Sequence, residues 1–247
     1  MTLNGPDPDF PFLSENERFS FPDPAEAEHH SFVARGGNLS PGMLLSAYEQ
    51  GVFPWYSEGE PIFWHSPDPR FVLFPEKLHI SESMKKVLRR NEFTIRLDEN
   101  FSGVITGCSR AERPGQGGTW ITADMIAAYT ELHRLGWAHS AEAYYGGELS
   151  GGCYGIRLGN IFFGESMFSR RPNASKAAFL SLTRLLFGDS IRFIDCQTHT
   201  RHLESLGAED ISRKEFLSLL RETLASRPSG AAADNADRRG VWKYHSK

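Results

Sequence analysis

The fold class of this chain is decided by residues 138–168, which run AHSAEAYYGGELSGGCYGIRLGNIFFGESMF. Three segments rich in apolar and aromatic residues are separated here by two turns, Gly146-Gly147 and Gly159-Asn160. Such two-residue turns are typical of β-hairpins, because glycine readily adopts the positive φ that a tight turn requires. We therefore expect an antiparallel meander of three strands, at 139–145, 148–158 and 161–168.

On either side of this meander the sequence alternates between helical and extended patterns. Helix signals mark several ends, such as Ser40-Pro41 before an apolar run and Gly51 after it. Helices are expected at 41–50, 82–91, 101–108, 123–135, 174–187, near 200–206 and from Ser212, and strands at 93–98 and 191–195. A meander followed by helix, strand and helix is an α+β arrangement.

The composition is that of an ordinary globular protein. Of the 247 residues, 40% are hydrophobic and 23% are charged, which excludes a collagen-like, coiled-coil or wholly disordered chain. The net charge of −4 argues against a protein that coats nucleic acid through many phosphate contacts. The first 30 residues hold seven acids and one base, which leaves residues 31–247 with +2, the difference between −4 and −6.

Cysteine usage and hydropathy predict a cytoplasmic protein that does not enter a membrane. The cysteines lie more than forty residues apart, at 108, 153 and 196, so neither a disulfide framework nor a zinc ribbon is indicated. The first residues lack the basic and apolar regions of a signal peptide, and no apolar stretch approaches the length of a membrane span.

Three segments could contact a ligand, and each has an alternative structural interpretation. Four bases share one face of the helix at 82–91, namely Lys85, Lys86, Arg89 and Arg90. They form either a solvated face or a phosphate-binding face. The aromatic, proline-rich segment 53–67 is either a packed irregular core or an aromatic binding wall. The glycine-rich loop 114–118 matches neither the phosphate-loop nor the dinucleotide-binding pattern.

Strand alternation nominates three polar residues. Phe163, Glu165 and Met167 are expected on one face, so Glu165 needs a hydrogen-bonding partner or a substrate, unless it is a structural carboxylate. Asp195 and Gln197 share a face at the end of the strand at 191–195 if the chain stays extended, with Cys196 on the other face.

His199 and His202 follow closely and could suggest a Cys/His hydrolase or a metal site. Without a third ligand at suitable spacing, a surface pair is the simpler interpretation, and we expect no metal.

Several blocks of the sequence resemble one known family. They include Gly37-Asn38-Leu39-Ser40-Pro41, residues 51–57, residues 64–70, Gly118-Thr119-Trp120-Ile121, Ala138-His139-Ser140, residues 164–169, Asn173-Ala174-Ser175-Lys176 and Ile194-Asp195-Cys196-Gln197. Their order and spacing, over roughly residues 33–220, are similar to those of the leucyl/phenylalanyl-tRNA–protein transferases.

The resemblance implies a fold and an activity. It implies a small N-terminal α/β domain, placed at 1–70, then a catalytic domain at 71–226 similar to the acyl-CoA N-acyltransferases. Composition, not the resemblance, predicts an irregular arm over residues 1–39, rich in Pro, Phe and acids, and a disordered tail at 227–247. The implied reaction moves Leu or Phe, and less readily Met, from aminoacyl-tRNA to proteins that begin with Arg or Lys, as a degradation signal. No cofactor is implied, and we expect a monomer.

The resemblance also assigns roles to residues. Asp195 and Gln197 match the family's catalytic pair, and Glu165 matches its active-site glutamate. Members of the side-chain pocket are Cys153, Met167, Phe179, Leu182 and Ile194, and members of the adenosine site are Trp55, Trp120 and Leu186.

A hypothesis for the reaction follows from these roles. Asp195 holds the incoming amine and accepts its proton, directly or through a neighbour, while Gln197 orients the amine or the ester. The basic helix face at 82–91 is expected to contact the acceptor stem. Two alternatives stay open: an acyltransferase that uses a small thioester, and a non-catalytic module that binds a tRNA end or a protein N-terminus.

Overall fold

A computed structural model describes residues 5–27, 31–111 and 120–226. The predicted loop at 114–118 and the predicted tail at 227–247 lie outside the described residues. The helices in these ranges are α1 Pro41–Glu49, α2 Glu82–Arg89, α3 Phe101–Ser109, α4 Ala123–Arg134, α5 Ala174–Gly188, α6 Arg201–Glu204 and α7 Arg213–Ala225. None of these helices of the described chain has the length and apolarity needed to cross a bilayer.

The strands form two sheets. They are β1 Phe32–Arg35, β2 Phe53–Pro54, β3 Phe63–His65, β4 Arg70–Leu73, β5 Thr94–Leu97, β6 Ala138–Tyr145, β7 Glu148–Leu158, β8 Ile161–Ser169, β9 Phe193–Gln197 and β10 Glu209–Ile211. The smaller sheet has the order β1-β3-β2 and is antiparallel. The larger has the order β10-β4-β9-β8-β7-β6-β5, and its strands are antiparallel except for the parallel pair β8 and β9.

This architecture confirms the α+β class and the predicted meander. Strands β6, β7 and β8 end within one residue of the positions expected from the turns. Helices cover both faces of the larger sheet, with α1, α3, α4 and α7 packed in one core cluster and α2 and α5 in the other. Each large apolar side chain buried in these layers contributes about 1.5–3 kcal/mol, so the sheet is held rigidly from both sides.

The N-terminal segment is tethered to the body by a row of aromatic rings. Phe10 contacts Phe19, Phe19 contacts Phe21, and the Phe21 ring lies 4.9 Å from that of Trp64. The prediction of an irregular arm over residues 1–39 is wrong for β1, which pairs with β3.

The aromatic segment 53–67 is likewise not wholly irregular, because β2 and β3 lie within it. Pro54 fits there because β2 is an edge strand, where the missing backbone N–H leaves no central ladder bond unmade.

Candidate active site

The candidate site lies where β8 and β9 separate. The two strands pair at three positions, ending with Phe163 opposite Asp195. Beyond that point β9 continues along β4, with Gln197 opposite Phe71, while β8 continues along β7 to Ser169. The separation leaves a cavity whose polar wall comes from the residues of both strands that follow the last shared pair. Where β8 and β9 are no longer paired, side chains between them are accessible to a ligand.

A β-bulge places Glu165 in this cavity. Gly155 of β7 is opposite Gly164, and the next residue, Tyr154, is opposite Ser166, so Glu165 is the extra residue on β8. A bulge of this kind redirects the side chain of the unpaired residue and is common beside functional sites. The carboxylate therefore lines the cavity instead of joining the alternation of the strand.

The bulge also corrects one prediction about the faces of β8. Phe163 packs in the core on one face of the sheet, whereas Met167 packs against the core on the opposite face. The expected single face for Phe163, Glu165 and Met167 is wrong, because one extra residue reverses the alternation beyond it.

Glu165 is held by three side chains from distant parts of the chain. Its Oε1 accepts hydrogen bonds from the Tyr48 hydroxyl at 2.7 Å and from Gln197 Nε2 at 2.9 Å, and its Oε2 accepts one from the Tyr129 hydroxyl at 3.3 Å. Burial raises the pKa of Glu165 to about 7, although the hydrogen bond from Tyr48 opposes this increase. The carboxyl therefore exists in both protonation states near neutral pH.

Asp195 forms a fully buried ion pair with Arg70. Its Oδ1 accepts from Arg70 Nε at 2.9 Å and its Oδ2 accepts from Nη2 at 2.6 Å. Arg70 also donates to the carbonyl oxygen of Gly51 at 3.1 Å, and its guanidinium lies 4.3 Å from the ring centroid of Phe216. Neither side chain of the pair has any exposed area, so the carboxylate offers no surface for direct contact with an amine.

The Asp195 carboxylate acts on Gln197 through the backbone. The Gln197 N–H donates to Asp195 Oδ1 at 2.9 Å, and Gln197 has a φ of +63°. The left-handed region costs a residue with a side chain about 1–2 kcal/mol, which this hydrogen bond helps to offset. The expectation of a shared face for Asp195 and Gln197 required an extended chain, and the chain does not stay extended at Gln197. Gln197 and Cys196 line the cavity, whereas Asp195 does not.

The cavity has a volume of about 350 Å³, within the range of small-molecule sites. Four predicted members of the side-chain pocket line it: Cys153, Met167, Phe179 and Ile194. The fifth, Leu182, and the predicted adenosine contact Leu186 do not, because both are buried in the core on the α5 side of the sheet. The sequence alone did not identify several other lining residues: Phe53, Pro54, Tyr154, Phe162, Ser166, Thr198, Thr200 and Leu203.

Trp55 and Trp120 also line the cavity, at its aromatic end. Trp55 keeps 40% of its surface exposed, which is a large fraction for an indole beside a core. Exposed aromatic faces next to a polar site suit the stacking of a planar ligand. The alternative of an aromatic binding wall in residues 53–67 therefore holds for Trp55 and for Phe53, which is buried but lines the cavity, whereas Trp64 is buried in the core away from it.

The thiols and histidines near the site do not form a hydrolase centre. Burial raises the pKa values of Cys153 and Cys196 far above the ordinary range, so both thiols stay protonated and are poor nucleophiles. His199 is exposed and contacts Glu204, as a surface histidine would. His202 is half-buried and lines the cavity, so the surface-pair interpretation is wrong for it. No group of three potential metal ligands occurs among the residues that the structure describes.

The basic face of α2 is exposed, as its periodicity indicates. Met84 is buried, whereas all four basic residues predicted to contact phosphate are exposed: Lys85, Lys86, Arg89 and Arg90. Lys85 contacts Glu82 at 2.7 Å and Arg90 contacts Glu92 at 3.6 Å. The alternatives of a solvated face and a phosphate-binding face both fit this exposure.

Sequence reasoning missed Tyr48, Tyr129 and Arg70, which hold the polar residues of the site. Tyr48 lies in α1, which is buried except for Glu49, and Tyr129 lies on the buried face of α4, so both are indistinguishable from core residues in the sequence. A signal did exist for Arg70, because it directly precedes the apolar run Phe71–Leu73, where a charged residue is expected to have a partner.

The sequence matches two family models over most of its described length. Residues 72–221 match the model described as leucyl/phenylalanyl-tRNA protein transferase, and residues 37–68 match the model of the N-terminal domain of that protein. Among solved structures, a GCN5-related N-acetyltransferase from Kribbella flavida is similar at 10% identity and a TM-score of 0.37, over 70% of this chain and 62% of that one.

Named relatives cover nearly the whole chain. The leucyl/phenylalanyl-tRNA–protein transferase of Myxococcus xanthus is 50% identical over 93% of this chain and 94% of its own length. That of Chromobacterium violaceum is 46% identical over 98% of this chain and 95% of its own length. Together with the match to residues 72–221, these identities show that the chain belongs to the leucyl/phenylalanyl-tRNA–protein transferase family.

Proposed function

We propose that this chain is an aminoacyltransferase that moves leucine or phenylalanine, and less readily methionine, from aminoacyl-tRNA to the N-terminal α-amine of proteins that begin with Arg or Lys. One observation carries this proposal: a single cavity joins an apolar pocket, two tryptophans and the hydrogen-bonded pair Glu165 and Gln197. The names of the relatives support the two substrate classes, aminoacyl-tRNA and protein. The added residue would serve as an N-terminal degradation signal.

The cavity suits the aminoacyl end of a tRNA. Its apolar side chains, among them Met167, Phe179 and Ile194, provide a site for the side chain of Leu or Phe. Trp55 and Trp120 can stack on the terminal adenine, and such stacking is worth about 1–3 kcal/mol per base. The exposed bases on α2 would then contact the acceptor stem.

Transfer to an amine requires alignment more than activation, because the aminoacyl ester is already activated. The neutral amine attacks the ester carbonyl, an N–C bond forms through a tetrahedral intermediate, and the C–O bond to the terminal ribose breaks. The proton lost from nitrogen passes to the departing ribose oxygen. An α-amine has a pKa of about 7.7–8.0, so a useful fraction is neutral at pH 7.

Gln197 is the residue that we expect to touch the amine. Its Nε2 donates a hydrogen bond to Glu165 Oε1. The side-chain Oε1 of Gln197 is therefore the acceptor that can hold an N–H of the amine. An amide is too weak a base to remove the proton, and its role is orientation. Asp195 is a positioning residue, because it reaches the cavity only through the Gln197 backbone. Glu165 fixes the Gln197 side chain.

The proposed reaction uses no cofactor and no metal. It would be carried out by a monomer in the cytoplasm. The test is transfer of labelled leucine or phenylalanine from charged tRNA to peptides that begin with Arg, Lys or Glu. Transfer to the Arg and Lys peptides alone is expected, and Gln197→Ala should reduce kcat by at least tenfold.

A purified chain that leaves every peptide unlabelled would overturn the proposal. An acyl-CoA donor in a parallel reaction separates it from a thioester-dependent acyltransferase. Binding of charged tRNA without transfer would instead indicate a non-catalytic module.

A further inference from the structure

The three-stranded sheet has one face that continues the aromatic wall of the cavity. In this sheet Phe32 of β1 and Phe53 of β2 are both opposite His65 of β3. Two residues away on β3, Phe63 is opposite Arg35 of β1, and its carbonyl oxygen accepts a hydrogen bond from the Trp55 N–H at 2.8 Å. Residues opposite one another across a sheet share a face, so these six side chains lie together. We call this surface the outer face: Phe32, Arg35, Phe53, Trp55, Phe63 and His65.

The rings of the outer face form a continuous cluster. The Trp55 and His65 ring centroids are 6.0 Å apart, and the centroids of His65, Phe32 and Phe63 form a triangle with sides of 6.4, 6.1 and 6.5 Å. The cluster begins in the cavity, because Trp55 lines it. It ends two strands away, which is about 10 Å at the usual spacing of strands.

The outer face is exposed where a soluble protein would normally bury such side chains. Phe32 keeps 44% of its surface exposed and Trp55 keeps 40%, while Phe63 and His65 are half-buried and Arg35 is exposed. Phe53, beside the cavity, is buried, as are Trp64 and Pro54 on the opposite face of the sheet. Exposed aromatic residues in a group, continuous with a binding cavity, mark a binding surface.

We propose that the outer face binds the unpaired nucleotides that precede the terminal adenosine of the aminoacyl-tRNA. This inference rests on the proposed function, which places that adenosine beside Trp55. The 3′ end of a tRNA is single-stranded, and unpaired bases are held by stacking on aromatic rings, with arginine supplying a contact to the backbone phosphate. The outer face offers both, with the rings of Phe32, Phe63 and His65 clustered together and Arg35 at its far edge.

The chemistry of the outer face favours RNA over the acceptor protein. An acceptor that begins with Arg or Lys carries positive charge and requires carboxylates, and none of the six side chains is a carboxylate. Of the acids three residues from a member of the outer face, Glu58 and Glu60 lie in the turn between β2 and β3, and Asp68 accepts a hydrogen bond from the Arg213 backbone N–H. Among the described residues, no carboxylate forms an ion pair with Arg35, so its charge is available to a phosphate.

The test compares two donors, charged tRNA and aminoacyl-adenosine, which lacks the preceding nucleotides. Phe32→Ala should raise the KM for charged tRNA about tenfold, the effect of losing one stacked base, and leave the KM for aminoacyl-adenosine within about twofold. Trp55→Ala should raise the KM for both donors. Phe12→Ala is the matched control, since Phe12 is an exposed phenylalanine, 72% accessible, outside the outer face.

Two further variants sharpen the result. Phe32→Trp should have a KM for charged tRNA close to that of the unsubstituted chain, because a larger ring stacks on a base at least as well. Arg35→Ala should reduce the slope of log KM against log salt by about 0.7, the value for one phosphate contact on a single strand.

The outcomes separate this inference from the proposed function. Inactivity of the unsubstituted chain with both donors would refute the proposed function. Activity with both donors, but equal KM changes for them in Phe32→Ala, would refute the inference alone. A rise in the KM of the acceptor peptide, with the KM of charged tRNA unchanged, would assign the outer face to the acceptor protein and overturn the inference.

Discussion

Replacement of Arg70 by methionine tests the role of the buried ion pair most directly. The substitution keeps most of the side-chain volume but removes both hydrogen bonds to Asp195 and the one to the Gly51 carbonyl oxygen. It leaves a carboxylate without any exposed area beside one remaining backbone N–H donor, that of Gln197. Breaking a buried pair in this way typically costs about 3–5 kcal/mol of unfolding free energy.

The chain offers a matched control for this prediction. Arg18 and Glu49 form a pair of the same geometry, with N–O distances of 2.7 and 3.1 Å, but both side chains are partly exposed. Arg18→Met should therefore cost less than about 1 kcal/mol. In a domain of this size 1 kcal/mol corresponds to about 2–4 °C, so Arg70→Met should lower Tm by about 6–20 °C and Arg18→Met by less than about 4 °C.

A second substitution, at Asp195, tests whether the unpaired carboxylate causes the loss of stability. Adding Asp195→Leu to Arg70→Met removes the orphaned charge and should recover much of the lost stability, whereas activity should stay low because Gln197 has lost its backbone partner. Urea unfolding and the transfer assay measure the two quantities. Equal destabilisation by Arg70→Met and Arg18→Met, or full activity of the double variant, would refute the reasoning.

The remaining predictions concern pH, specificity and the bulge. Burial raises the pKa of Glu142 to about 7, so the folded state retains a proton that the unfolded state loses from about pH 4.5 upward, and stability falls as pH rises between these values. The pKa of Glu165 is raised to about 7 as well and contributes over the same range, so Glu142→Gln should remove about half of that decline in urea unfolding measured from pH 5 to pH 8. An unchanged pH profile would exclude Glu142 as one of its sources. Cys153→Met narrows the cavity and should lower the ratio of Phe to Leu transferred in a competition assay by about tenfold. Leu182 lies outside the cavity, so Leu182→Ala should lower the free energy of unfolding by about 2–5 kcal/mol without changing that ratio. Gly155→Ala would place a Cβ 2.2 Å from the Phe163 carbonyl oxygen and should disturb the bulge beside Glu165, so loss of activity exceeding loss of stability is expected, and wild-type kinetics would contradict it.

Local patterns in the sequence were sufficient for the meander and the main helices, but not for the short strands β1 to β4 and β10. Turn glycines and capping residues predict the meander and the main helices to within a few residues, because hydrogen bonding over three or four residues and the alternation of strands are local properties. The same periodicity found the exposed basic face of α2. It also nominated Glu165, Asp195 and Gln197, since polar residues in apolar strands require partners.

Tertiary structure alone decided what these residues do. The partner of Asp195 is Arg70, 125 positions away, and Glu165 is held by Tyr48 and Tyr129 from two different helices. Alternation could not anticipate the bulge that moves Glu165 out of line, nor the left-handed backbone at Gln197 that accompanies its hydrogen bond to Asp195. Such features arise from contacts between elements that are distant in the chain, and no local pattern encodes them. The sequence by itself therefore determined the meander, the main helices and the polar candidates. Packing decided which of these candidates meet in the cavity, because side-chain partners are set by position in space.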